Sequence, residues 1–264
     1  MKNRDFIITS LQPWDIEIGS TIKNTALEIS KNNRVLYINT PMDYSTRLRG
    51  NKNKAWTRRM DVIKKQASPI RQINEHMWIA DCPFCVLPVG GLPTTCLFDW
   101  INRINNRKIA DYIRQITAQL NFNNYIHLID TDIYRSQYLK EYLTPSLSIY
   151  YCRDFVIGES YWKKNGVRLE PLLAAKSDIV LANSTHFAER FRQYNRHTFS
   201  IETGVNLALY DGRKKWLIPE DIKPIPHPII GYVGTVNSTR LDSDLLLQIA
   251  EERPVYSFVF TGPE

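Results

Sequence analysis

The residues able to do chemistry in this chain gather at places where strands are expected to end. Asp130 and Asp132 follow one strand-like run, and Arg153 and Asp154 follow the next. In an open α/β sheet, ligands bind beyond the carboxyl ends of the strands. That rule makes Asp130 and Asp154 candidates for catalysis and Asp132 a candidate for binding. It also nominates residues 11–18, where Trp14 could stack on a sugar or a lipid head and Asp15 stands beside it, and Ser184 after a later strand. Further on, Gly234-Thr235 follows the run Ile229-Ile230-Gly231-Tyr232-Val233. A glycine there lets the backbone approach a phosphate, and the next helix offers free N–H groups. Cys82-Pro83-Phe84-Cys85 has the spacing of a redox pair or half a metal site. No second such pair and no paired histidines complete a zinc site, and Pro88, Gly90, Gly91 and Pro93 place the motif on a loop. Small buried thiols near a strand end are the expectation there. His127 falls in mid-strand and is expected to point into the sheet.

The elements that must position these residues alternate between strand and helix patterns. Such alternation predicts an α/β fold: a Rossmann-like parallel sheet with helices on both faces. Strands are predicted at 5–10, 34–39, 77–80, 124–130, 147–151, 178–183 and 198–202. The sixth, an unbroken apolar run, is expected to be buried on both faces. Helices are predicted at 18–30, with Ile18, Ile22, Ala26 and Ile29 at helical spacing, and at 96–120, as one helix or two. The stripe of the latter is Phe98, Ile101, Ile104, Ile109, Ile113, Ile116 and Leu120. Shorter helices are predicted at 134–142 and 167–175. Another runs from Ser184 to about Tyr194, with the Ser184 hydroxyl as its N-cap.

Of 264 residues, 43% are hydrophobic and 23% charged, an ordinary balance for a globular protein. No apolar run is long enough to predict a transmembrane helix, and residues 1–10 lack the features of a signal peptide. A cytoplasmic chain is expected. The formal net charge is +7. Much of the excess lies between Arg47 and Arg71: Arg47, Arg49, Lys52, Lys54, Arg58, Arg59, Lys64, Lys65 and Arg71, opposed by Asp61 alone. No nucleic-acid motif accompanies the run, so no nucleic-acid partner is expected. An anionic membrane surface is the candidate partner, at about 1 kcal/mol per basic residue; the alternative is a solvated mobile loop.

Three segments carry a resemblance. Ser177-Asp178-Ile179-Val180-Leu181-Ala182-Asn183-Ser184-Thr185 is followed by Ile201-Glu202-Thr203-Gly204-Val205-Asn206, and then by the strand, glycine turn, helix and strand of 229–262. The succession resembles the group 1 (family 4) glycosyltransferases of the GT-B fold. The resemblance implies an acceptor-side Rossmann-like domain at 1–207, a linker at 208–228, and the start of a nucleotide-sugar-binding domain at 229–264. Gly204 takes the place of the hinge glycine. The family commonly has a basic residue after the phosphate-facing glycine and a Lys-Gly further on; here Thr235 and Leu241-Asp242 stand there, leaving Arg240.

The implied activity is retaining transfer from a nucleotide-diphosphate sugar, which is a substrate and not a cofactor. The implied acceptor is lipid-linked or a polysaccharide, and the implied place is the cytoplasmic face of a membrane. The family's donor-side carboxylates would lie after Glu264, so this chain alone is expected to be weakly active or inactive. Two other readings stay open: an acceptor-binding module without transfer, and an unrelated Rossmann-type nucleotide or redox protein using Cys82 and Cys85.

Overall fold

The computed structural model describes residues 1–16, 19–50, 53–204, 207, 210–238 and 240–262. Contacts divide the chain into two units, Met1–Asn206 and Leu207–Glu264. The first unit holds β1 (Asp5–Ser10), α1 (Thr21–Ser30), β2 (Arg34–Ile38), α2 (Tyr44–Arg49), α3 (Lys54–Ile63), β3 (Ile70–Asn74) and β4 (Met77–Ala80). It continues with α4 (Thr95–Gln119), β5 (Ile126–Asp130), α5 (Leu139–Leu143), β6 (Leu147–Cys152), α6 (Ser160–Lys176), β7 (Ile179–Ala182), α7 (Thr185–Arg192) and β8 (Thr198–Ser200).

The strands form one sheet in the order β3-β4-β2-β1-β5-β6-β7-β8. All neighbours run parallel except β3, which folds back antiparallel on β4. Alternation along β1 explains how both faces become covered. Ile7 packs with Leu36, Ile38 and the α4 residues Ile109, Ile113 and Ile116. Phe6 and Ile8 turn to the other face, against Val35, Tyr37 and the α1 residues Ile22 and Ala26. Each such aliphatic side chain contributes roughly 1.5–3 kcal/mol by leaving water.

Several elements differ from their sequence patterns. Ile18 lies outside the described residues, and α1 begins at Thr21. The basic run is no loop where it is described: most of it folds as α2 and α3, capped by Asp43 and Asn53, and it ends on β3. Residues 96–120 form a single helix, but Ile104 is exposed, and Asn102, Asn105 and Asn106 are buried in its inward stripe. Strand β7 alternates between buried and half-buried residues instead of being enclosed on both faces. Helix α6 starts well before 167 and contains Pro171.

The second unit holds β9 (Ile229–Val233), α8 (Ser243–Glu252) and β10 (Ser257–Thr261), with β9 and β10 parallel. Asp242 caps α8 by accepting from the Leu245 N–H at 3.1 Å. The turns after the two strands abut through backbone: the Gly234 N–H donates to the Thr261 carbonyl at 2.9 Å, and a Cβ at Gly262 would run into the Gly234 carbonyl. Only glycine permits so close an approach.

Candidate functional site at the carboxyl edge of the sheet

Strands β1, β2, β4, β5 and β6 all deliver a polar residue at their carboxyl ends. Ser10 and Asp130 meet there: the Ser10 hydroxyl donates to Asp130 Oδ2 at 2.6 Å. Arg153, just past β6, donates from Nε to Asp130 Oδ1 at 3.0 Å and from Nη2 to Oδ2 at 3.2 Å, a two-pronged pair. Its Nη2 also reaches Gln12 Oε1 at 3.2 Å. Burial works against the Arg153 charge, but the hydrogen bonds and charge of Asp130 outweigh it and raise its pKa. Asp130 is wholly buried with both oxygens engaged. It therefore acts on Arg153 and does not face solvent. Asp154 is the acid that does, with its side chain 59% exposed and 3.3 Å from Arg153 Nη1.

A second group lies around β2 and β4. Asn39 Nδ2 donates to Asp81 Oδ1 at 2.6 Å and to Asp15 Oδ2 at 3.0 Å, and its Oδ1 accepts from the Trp14 N–H at 2.7 Å. Arg71 Nη2 donates to both Asp15 oxygens at 2.5 and 2.6 Å. Arg58 Nε donates to Asp81 Oδ2 at 3.0 Å. Asp15 is thus held in an ion pair. The Trp14 ring is half-buried, edge-on to Tyr37 at 5.3 Å between centroids, with Lys23 Nζ 5.4 Å from its centre. Its location matches both stacking and core packing, and its near side is taken by Tyr37.

The third group surrounds the turn after β5. Asp132 is buried and accepts from the Arg135 N–H at 3.3 Å, while the Arg135 guanidinium stands off at 3.6 Å. Burial raises the Asp132 pKa against the opposing charge of Arg135. Thr131, between the two acids, has a φ of 58° and is buried. Its Oγ1 accepts from the Arg153 N–H at 3.2 Å. Asn106 fixes the rest of the turn, donating to the Tyr134 carbonyl and accepting from the Tyr138 N–H, both at 2.9 Å. His127 points into the sheet, as its mid-strand place implied: it is buried beside Thr9 Oγ1 at 3.0 Å, and burial pushes its pKa down to about 3.

Other nominated residues lie elsewhere. Ser184 caps α7, accepting from the Phe187 N–H at 3.3 Å. Gly204 is exposed, and a Cβ there would meet nothing within 4 Å; Val205 and Asn206 lie outside the described residues. In the second unit, the Thr235 carbonyl accepts from the Tyr232 hydroxyl at 3.2 Å, and Arg240 is exposed. Cys82 and Cys85 are buried free thiols, and burial drives the Cys82 thiol well up, which opposes a redox role. Among the described residues, no helix is long and apolar enough to cross a membrane.

Sequence reasoning missed Asn39 and Asp81, although the strand-end rule that nominated Asp130 applies equally to them. It missed Arg58, Arg59, Arg71 and Arg135 for a different reason: nothing local says that an arginine turns inward. Of the basic run, Arg58 and Arg71 bond acids of the site and Arg59 reaches the Thr40 carbonyl at 3.3 Å. Arg47, Arg49, Lys64 and Lys65 remain on the surface, and Leu48 beside them is 86% exposed. Lys52 lies outside the described residues.

No family model and no curated protein matches the chain. Among solved structures it is similar to HepE of Anabaena, determined in complex with UDP and glucose. The TM-score is 0.55 and the identity 13%, over 98% of this chain and 60% of that one. It is similar, at a TM-score of 0.55 and 11% identity, to sucrose-phosphate synthase from Thermosynechococcus elongatus, over 99% of this chain and 71% of that one. The likeness carries the fold. It is the Rossmann-like, largely parallel α/β architecture of the GT-B type. The chain spans about 60% of the length of HepE.

Proposed function

We propose that this chain is the acceptor-side part of a glycosyltransferase that uses a nucleotide-sugar donor, of the group 1 (family 4) kind and retaining in outcome. The observation that carries the reading is the convergence of Ser10, Asp130, Arg153, Asp15 and Asp132 on the carboxyl edge of one parallel sheet. A strand, glycine turn and helix follow in the sequence, where a diphosphate would meet Gly234, Thr235 and Arg240. The similar structures, a complex with UDP and glucose and a sucrose-phosphate synthase, agree with this reading.

In this reading the domains run 1–207 and 229–264 with a linker at 208–228, and Gly204 is the hinge. Trp14, Asp15, Asp132 and Ser184 border the acceptor, which is lipid-linked or a polysaccharide. Asp154 is the carboxylate offered to it, and Asp130 positions Arg153. Retaining transfer of this kind rests on stabilising the departing nucleotide diphosphate. The exposed Arg47, Leu48, Arg49, Lys64 and Lys65 are proposed to hold the protein at the cytoplasmic face of an anionic membrane.

A second reading, an acceptor-binding module without transfer, is favoured by the second unit. Arg240 is the one cation near its glycine turn that the sequence nominates. Leu241, Leu246, Leu247, Ala250, Phe258 and Phe260 also line an open apolar groove of about 360 Å³. Calorimetric titration of the chain with a panel of uridine- and guanosine-diphosphate sugars separates the two. Submillimolar binding of one sugar nucleotide is expected under the enzyme reading. A folded chain that binds none of them and transfers no sugar would leave only the module.

A further inference from the structure

Helix α5 is too short for its place in the helix layer. It has 5 residues, against 25 in α4 and 17 in α6, the helices on either side of it. At 1.5 Å per residue that is roughly 8 Å for α5 against roughly 25 Å for α6. Leu139 and Leu143 of α5 share a core with Ile109 and Ile113 of α4. Lys140 Nζ donates to the Lys176 carbonyl at the end of α6 at 2.7 Å. Before the start of α5 the layer is open. There Arg103 of α4, Leu172 of α6 and the floor residues Gln137, Tyr138 and Leu169 line a groove of about 460 Å³.

The rim of this groove is not an ordinary solvated helix face. Trp100 is 62% exposed, Ile104 one turn along α4 is 40% exposed, and Leu172 on α6 is 50% exposed. Arg103 and Arg107 follow Trp100 and Ile104 at a spacing of one turn, which puts them on the same side of the helix. Arg103 stands over the Tyr138 ring at 4.3 Å and Arg107 over the Tyr142 ring at 5.6 Å. The nearby acids are engaged elsewhere. Asp99 takes both bonds of Arg168, at 2.8 and 3.2 Å, Glu141 pairs with Lys176 at 2.9 Å, and Asp111 pairs with Arg114. Among the described residues, Arg103 and Arg107 therefore have no carboxylate partner, and their charges stand uncompensated beside exposed apolar side chains.

Exposed apolar side chains rimmed by charge mark an interaction surface. Tryptophan, tyrosine and arginine are the residue types that anchor protein interfaces, and all of them stand here. The groove defines the shape of the occupant. It continues the helix layer before α5, so it suits a helix with apolar side chains on its inward face. Charge complementarity defines the flank of that helix, because Arg103 and Arg107 call for acids. A bilayer would need the apolar groups to protrude, whereas Leu172 and Tyr138 line a concavity. A net charge of +7 makes two copies of this chain repel, which favours a different chain as the partner. We propose that the groove between α4 and α6 docks an acidic amphipathic helix of another protein. The inference is independent of the glycosyltransferase reading, because the face lies on the outside of the helix layer and not at the strand ends.

The probe is a fluorescein-labelled peptide of about 15 residues, built of glutamate, leucine and alanine with the leucines at helical spacing. Its anisotropy is followed as the full chain is added at about 0.15 M salt. We expect submillimolar binding, weakened at least ~10-fold by Arg103→Glu, Trp100→Ala or Leu172→Asp. Lys2→Glu makes the same charge change as Arg103→Glu at the exposed start of the chain, and is expected to leave binding unaffected. A version of the peptide with lysine in place of glutamate should not bind the wild-type chain. It should bind a chain carrying both Arg103→Glu and Arg107→Glu, a gain that a misfolded variant cannot mimic.

A folded wild-type chain that does not bind the acidic peptide overturns the proposal. So does equal binding of the acidic and lysine peptides, or equal weakening by Lys2→Glu and Arg103→Glu. Other occupants of the face would overturn it as well. Sedimentation of the chain alone showing a dimer that Trp100→Ala abolishes would make the occupant a second copy. Flotation with phosphatidylserine vesicles that Trp100→Ala abolishes, without peptide binding, would make this a membrane face.

Discussion

Asp130 and Asp132 stand two residues apart at the end of one strand, yet their surroundings differ in kind. Around Asp130 the polar groups are satisfied: Ser10, Arg153 and Gln12 form one connected set. Around Asp132 they are not, because Arg135 stands off and Arg59 finds no carboxylate among the described residues. A saturated cluster rigidifies the sheet edge, whereas an unsaturated one stores free energy that a ligand can release. The comparison teaches that carboxylates at strand ends are not equivalent candidates. What decides between them is whether their cations are already occupied.

The largest effect should come from breaking the satisfied side. Asp130→Ala leaves the enclosed Arg153 with only Gln12 and the exposed Asp154, and should cost about 3 kcal/mol in urea denaturation. Asp132→Ala should cost much less, because its ion pair is loose; equal costs would erase the contrast. Next, Asn106→Ala strips the Tyr134 carbonyl and Tyr138 N–H of their partner and should cost about 1–3 kcal/mol. Because it strips two backbone groups at once, it should cost more than Ser184→Ala does. The latter removes only a helix cap, at about 1 kcal/mol.

A further contrast is in pH. The folded pKa of Asp132 is raised, so the folded chain binds more protons than the unfolded chain between the unfolded value, about 3.9, and the folded one. Stability contributed by Asp132 is therefore lost as pH rises through that window. His127 has the opposite sign. Its folded pKa of about 3 lies below the unfolded value, so its contribution is complete above about pH 6.5 and falls as pH drops toward 3. Asp132→Asn should remove the first slope and leave the second, as measured by Tm between pH 3 and 7 in buffers of fixed ionic strength.

Much of the scaffold was legible because its periodicities are local. Asp5–Ser10 and Met77–Ala80 read directly as strands, and Ser184 as a helix start. The long helix was legible too, but not its orientation in the middle: hydrophobicity points to Ile104, while Asn105 and Asn106 go inward because two neighbouring loops need their backbone groups bonded. The basic run reads as one patch by charge alone. Folding divides it into residues that build the sheet edge and residues left on the surface, a division set by partners such as Asp81 and Asp15 that are distant in sequence. Asp130 was legible as a strand end. That it is consumed by Arg153 was not, because the bond joins residues on separate strands.

Residues i and i+2 of a strand share a face, so an extended backbone would have aimed both acids the same way. The left-handed backbone of Thr131, rare for a β-branched residue, prevents this. Its Oγ1 takes the Arg153 N–H, and its own N–H goes to the Tyr151 carbonyl at 3.0 Å. The strained residue thus works as a switch-point in the chain's wiring: it sends one acid to the arginine of its neighbour strand and the next to the arginine of its own turn. Two chemically identical side chains become a fastener and a loosely held charge through a single backbone angle.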